Sequence, residues 1–191
     1  MTWLNRDQLL KLNFYELGEN VLISDRASIY GCERISISSN TRIDDFCVLS
    51  SGEGGISIGR NVHIATQSII IGKSKITISD FCNLSSRVAI YSSSDDFSGL
   101  HMTNPTIPTQ FTGVISRPVF LGKHVIIGTG STVLPGCELL DGVAIGAMSL
   151  VKQNCEAFWI YAGNPLKRIR QRNKRLIAVE EQFLNSECAP K

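Results

Sequence analysis

No stretch of the 191-residue chain has the ~18 consecutive apolar residues that a membrane-crossing helix needs. The amino terminus MTWLNRDQLLKLNFYELG also lacks the basic-then-apolar order of a secretory leader, so a cytoplasmic protein with no membrane partner is expected. Charge of one sign is scarce too. Nineteen Lys and Arg against seventeen Asp and Glu leave a formal charge of +2, which gives no electrostatic footprint for nucleic acid, and no nucleic-acid partner is expected. The six cysteines contain no CxxC pair, which speaks against a zinc knuckle or a redox motif. What the chain has in quantity is apolar residues, 43% of the total, enough to fill one core.

Those residues carry a period. In LGKHVIIGTGSTVLPGCELLDGVAIGAMSLV a branched aliphatic returns every six positions, at Leu121, Ile127, Val133, Leu139, Ile145 and Val151. A helix repeats its apolar face at three and four residues and a strand at two, so six fits neither. It fits very short strands joined by corners that all turn the same way, the hexapeptide signature of a parallel β-helix. Small residues follow each aliphatic by four positions: Val125, Ser131, Cys137, Val143, Ser149 and Cys155. Cys47 and Cys82 share that inward position, and these cysteines are read as buried thiols.

The register is traced upstream through Ile23, Ile37, Ile58 and Ile78 to Leu121, then to Leu139 and Ala157, in steps of 14, 21, 20, 43, 18 and 18 residues. Eighteen is three sixes, a triangle of three short strands. The other steps are then corner edits: a shortened first coil, the Gly-rich SGEGG at 51–55, an extension near Lys73, and one insertion of about 25 residues. The expected layout is a helical cap over 1–19, a β-helix over 20–161 with an inserted loop at 92–118, and a helix and tail over 162–191. In that tail Asn164 would cap a helix opened by Pro165. Leu166, Ile169, Leu176, Val179 and Phe183 would form its packed side, with the basic cluster from Lys167 to Arg175 as a solvated face.

The aliphatic-Gly-x-x-small repeats, the insertion YSSSDDFSGLHMTNPTIPTQF and the exit sequence AGNPLKRI together resemble the left-handed β-helix hexapeptide acyltransferases, in particular the sugar acetyltransferases of bacterial surface-polysaccharide pathways. The likeness spans roughly residues 20–170, and left-handedness comes from it alone, since parallel crossovers are otherwise right-handed. It implies a homotrimer with sites between neighbouring prisms and acetyl-CoA as co-substrate, lying along the late coils near Gly128, Ala144, Gly146, Ala162, Gly163 and Pro165. Gly and Ala allow close approach to backbone, and Lys167 or Arg168 can meet phosphate.

Relatives that acetylate sugar hydroxyls usually carry a loop histidine as general base, seven positions beyond the last small residue before the loop. Counted from Val88, that position is Asp95. A carboxylate is a weak base toward a hydroxyl but well suited to orient an amine, which tilts the reading toward N-acetylation of a nucleotide-linked 4-amino-6-deoxy sugar. Asp95 and, in the same loop, His101 are the catalytic candidates; Ser94, Asp96 and Asn83 are candidates for holding the sugar. Asp95 or Asp96 capping a turn is the structural alternative. O-acetylation of a hydroxyl stays open. A γ-class carbonic-anhydrase-like metal enzyme would need three converging histidines, whereas His63, His101 and His124 stand 38 and 23 positions apart; no metal is expected. An ice-binding prism would need ranks of threonine that the mixed outward positions do not supply.

Overall fold

The computed structural model describes residues 2–187. The chain coils into a left-handed parallel β-helix of triangular section, its three sides being sheets of six, eight and six strands, parallel except for the last strand of the eight. Each side contributes an inward aliphatic ladder. Ile37, Ile58, Ile78, Leu121 and Leu139 line the first; Ile23, Ile43, Ile64, Leu84, Ile127 and Ile145 the second; Leu49, Ile70, Ile90, Val133 and Val151 the third. All are essentially free of solvent, and each contributes about 1.5–3 kcal/mol by burial. Small residues at the corners fill the space between ladders, and Cys47, Cys82, Cys137 and Cys155 are buried free thiols as expected. Cys188 lies outside the described residues.

The register corrects the tracing in two places. Ile23 pairs with Ile43, whereas Ile37 pairs with Leu17 and Ile58, so Ile23 and Ile37 lie on different sides and the first coil is not shortened. At the other end Leu139 meets Cys155, and Ala157 is exposed. With no further coil to match, the last corner closes two residues early.

The longer coils owe their extra residues to one corner. There Gly52 N donates to the Gly72 carbonyl at 3.0 Å and Gly54 N to that of Lys73 at 2.8 Å, stacking the widened turns. The inserted loop leaves from that corner one coil later, after the strand Ala89–Tyr91. The ladders cross it unbroken: Ile78 pairs with Leu121 and Leu84 with Ile127.

Both ends are covered. Helix α1, Arg6–Lys11, is shorter than the helical cap expected over 1–19 and is capped at Asn5, whose side chain accepts from Gln8 N; it buries Leu9 over the first coil. The carboxyl end departs from expectation. Pro165 opens no helix; it sits in the turn of an antiparallel hairpin between Trp159–Ala162 and Lys167–Gln171. The last coil has an open edge of backbone donors and acceptors, and Lys167–Gln171 pairs with it, presenting charged side chains that discourage further strand addition. Helix α2 begins only at Arg175 and runs to Glu187. Ile169 is therefore an exposed strand residue, while Leu166 packs on the core.

Candidate active site

The inserted loop is organised from its base. Ser93–Ser94 pairs antiparallel with Ile115–Ser116, and Met102 N donates to the Phe111 carbonyl at 3.0 Å to close the outer lobe. Asp95 is the first residue beyond the paired base. It lines a cavity of about 470 Å³ with Tyr91, Ser93, Ser94, Phe97, Leu134 and Pro135. Asp96 turns into its own loop: Oδ1 accepts from Ser98 N at 2.7 Å, and Oδ2 from His101 N at 2.9 Å. Nδ1 of His101 lies 3.0 Å from that same Oδ2. Hydrogen bonds from Ser98 and His101 hold the Asp96 carboxyl well below the usual carboxylate range, so Nδ1 is the donor. Ser94, Asp95, Asp96 and His101 are thus brought together in one loop. Asp95 lines the cavity, and Asp96 takes the turn-closing role weighed for either aspartate.

Asn83 is elsewhere. It projects from the second side, where its Oδ1 lies 3.0 Å from His63 Nδ1, and His63 Nε2 lies 3.0 Å from Asp44 Oδ2. Arg42 Nε donates to the other oxygen of Asp44 at 2.7 Å. Burial pushes the Asp44 carboxyl up, but hydrogen bonds from Arg42 and His63 outweigh it and leave it below the ordinary range. This polar row was not foreseen: Asp44 and His63 are 19 residues apart, and only the coil register makes them neighbours. Within one chain Asn83 and the Asp95 loop occupy different sides of the prism.

The residues nominated for acyl-CoA gather at the late coils. Ala144 stands in strand register between Ile126 and Ile160. Gly128 and Gly146 have a packing reason to be glycine, since a Cβ would lie 2.5 Å from Ala147 N and 2.9 Å from Ala162 Cβ respectively. Two buried serines, read in the sequence only as inward small residues, fix this backbone. Ser131 and Ser149 both donate to the Gly146 carbonyl, at 3.0 and 2.7 Å, and Ser149 Oγ accepts from Gly163 N at 2.9 Å. Lys167 pairs with Ala162 across the hairpin beside Pro165. Arg168 is held by both carboxylate oxygens of Glu156, at 3.0 and 2.9 Å, with its guanidinium 4.2 Å from the Trp159 ring centre. It is an anchored cation, although it and Lys167 are both exposed.

The remaining histidine, His124, sits at a left-handed corner (φ 59°) stacked on Phe81, and takes no part in this region. Among the described residues no group of three His, Cys, Asp or Glu side chains is arranged to hold a metal. No helix among them is long and apolar enough to cross a membrane.

No protein-family model matches the chain. The dTDP-4-amino-4,6-dideoxy-D-glucose acyltransferase of Escherichia coli is 55% identical over 183 residues, 96% of this chain and 95% of that protein. The chain belongs to the hexapeptide-repeat sugar acyltransferases. Its fold also superposes on AntD, an N-acyltransferase from Bacillus cereus. A single-site variant of AntD in complex with dTDP-4-amino-4,6-dideoxyglucose and coenzyme A gives a TM-score of 0.91 at 40% identity, covering 97% of this chain and 98% of AntD. AntD with dTDP and 3-hydroxybutyryl-CoA gives 0.92 at 42% identity, covering 98% of both chains. Family membership makes this protein an acyltransferase.

Proposed function

We propose that this enzyme transfers an acetyl group from acetyl-CoA to the amino group of a dTDP-linked 4-amino-4,6-dideoxy sugar. The observation that carries the reading is Asp95: an aspartate, not a histidine, lines the cavity at the position where hydroxyl-acetylating relatives place their base. The 55% identity to an acyltransferase named for that amino sugar supports the acceptor. Asp95 orients the amine through a charge-assisted hydrogen bond. The neutral amine's lone pair forms the C–N bond at the thioester carbon, and collapse of the tetrahedral intermediate breaks the C–S bond. The amine's proton passes to the Asp95 carboxylate, and coenzyme A leaves as its thiolate.

Ala144, Gly146, Ala162, Gly163 and Pro165 line the path of the pantetheine in this reading, with Lys167 toward phosphate. The working unit is a homotrimer in which the Asn83 face of one chain meets the Asp95 loop of the next. The separation of these two half-sites in one chain supports it, as do the loop's exposed apolar residues, Phe97 at 93% and Leu100 at 82%.

The test is a free-thiol release assay. Purified enzyme with acetyl-CoA is offered dTDP-4-amino-4,6-dideoxyglucose and, in parallel, glycosides with hydroxyls only. Turnover confined to the amino sugar is expected. Turnover confined to a hydroxyl acceptor would return the enzyme to the O-acetylating class.

A further inference from the structure

We propose that His101 is a positioning residue: with Asp96 and Gly113 it forms a latch that holds Asp95 at the cavity, and it does not itself accept the proton. This rests on the assignment of Asp95 to the acceptor amine made above.

Three observations carry it. The Asp96 carboxylate takes three hydrogen bonds, from Ser98 N, His101 N and the His101 ring, and closes residues 96–101 into a ring of fixed geometry. Asp95 is bonded on one side to that ring and on the other to Ser94, which is paired with Ile115. Both neighbours are fixed, so its backbone has little room to wander. The imidazole also ties the outgoing arm of the loop to the returning one. At Gly113 a Cβ would lie 2.5 Å from His101 Nδ1 and 2.7 Å from its Cγ, so the ring is seated directly on the Gly113 backbone.

An Asp–His pair with one ring nitrogen on the carboxylate is also the arrangement of an oriented general base. What separates the two roles is placement. Asp95 lines the cavity, and His101 is not among its lining residues.

Asparagine at position 101 keeps an N–H donor close to where Nδ1–H stands, and it does not titrate. His101→Ala is expected to lower kcat about fivefold to tenfold by letting Asp95 drift, with the KM for acetyl-CoA unchanged. His101→Asn should recover activity to within about twofold of the native enzyme, with both limbs of the pH profile in place. Gly113→Ala should match His101→Ala, and the double variant should be no worse than either, because both open the same latch. Thermal melts run alongside identify any variant that has lost its fold.

A His101→Asn enzyme as impaired as His101→Ala, or one missing a limb of the pH profile, overturns the latch while leaving Asp95 in its assigned role. Full turnover by Asp95→Asn overturns that assignment and the latch with it.

Discussion

The carboxylate of Glu180, on α2, meets Nε2 of His124 at 2.7 Å, and both side chains are largely buried. His124 stacks on Phe81 with ring centres 5.0 Å apart, and Phe183 of the same helix meets Phe81 edge-on at 6.2 Å. Arg172 donates from Nη1 to the carbonyls of His124, Gly142 and Val143, sealing the approach to the helix. The helix is clamped to one corner of the late coils at two points, one polar and one aromatic.

Glu180→Ala should therefore release α2 and leave the coils intact. Loss of a hydrogen bond to a charged group is worth about 1.5–3 kcal/mol. Because the helix packs on one corner only, the loss should appear as local opening: trypsin should cut the variant faster at Lys174 and Arg175. Unchanged cleavage would place the clamp in the aromatic contact alone.

Two truncations separate the helix from the strand before it. A chain ending after Asn173 keeps the Lys167–Gln171 strand and should remain dispersed. One ending before Pro165 uncovers the edge of Trp159–Ala162 and should associate through it. Size-exclusion chromatography of the two checks this; equal behaviour would mean that the strand does not protect that edge.

Asp95→Asn should lower turnover of the amino sugar at least tenfold, ~1.4 kcal/mol of barrier, with acetyl-CoA affinity little changed. The amide keeps the shape of the carboxylate and removes its charge. Single-turnover kinetics with separate titration of acetyl-CoA distinguishes this from a general loss of binding.

Burial pushes the thiols up, Cys47 to about 11 and Cys82 and Cys155 to about 12. In the unfolded chain a cysteine titrates near ~8.5. A folded-state value above the unfolded one stabilises the fold fully below about pH 8.5, and that stability is lost as pH rises toward 12. The melting temperature should fall steadily from about pH 8.5 upward, and iodoacetamide at pH 8 should leave these three residues unmodified until denaturant is added. Rapid labelling of Cys82 in the native protein would contradict its buried, protonated state.

The period of six gave away the inward positions of Leu121, Ile127, Val133 and their successors, because each inward site needs a branched aliphatic whatever coil it belongs to. It did not say which side of the triangle a site lies on, so Ile23 was matched with Ile37 when its partner is Ile43. Pro165 reads as a helix opener by local preference, but the unpaired edge of the last coil imposed a hairpin that no local signal announces. The loop hid most. His101 and Gly113 meet across a segment without repeat, and a glycine that seats a ring resembles any other loop glycine. Asp95 was found through the family's spacing, and its company of Tyr91, Leu134 and Pro135 only through the stacking of one coil on the next.

The widened corner has a use outside catalysis. Ser94 and Ile115 are partners across an antiparallel pair, and the ladders on either side of the insertion keep their register over a step of 43 residues. A segment of other length or composition, spliced between those two residues, begins and ends at adjacent points and asks no rung to move. The prism thereby offers a grafting port, at which a new recognition loop can be exchanged as a cassette.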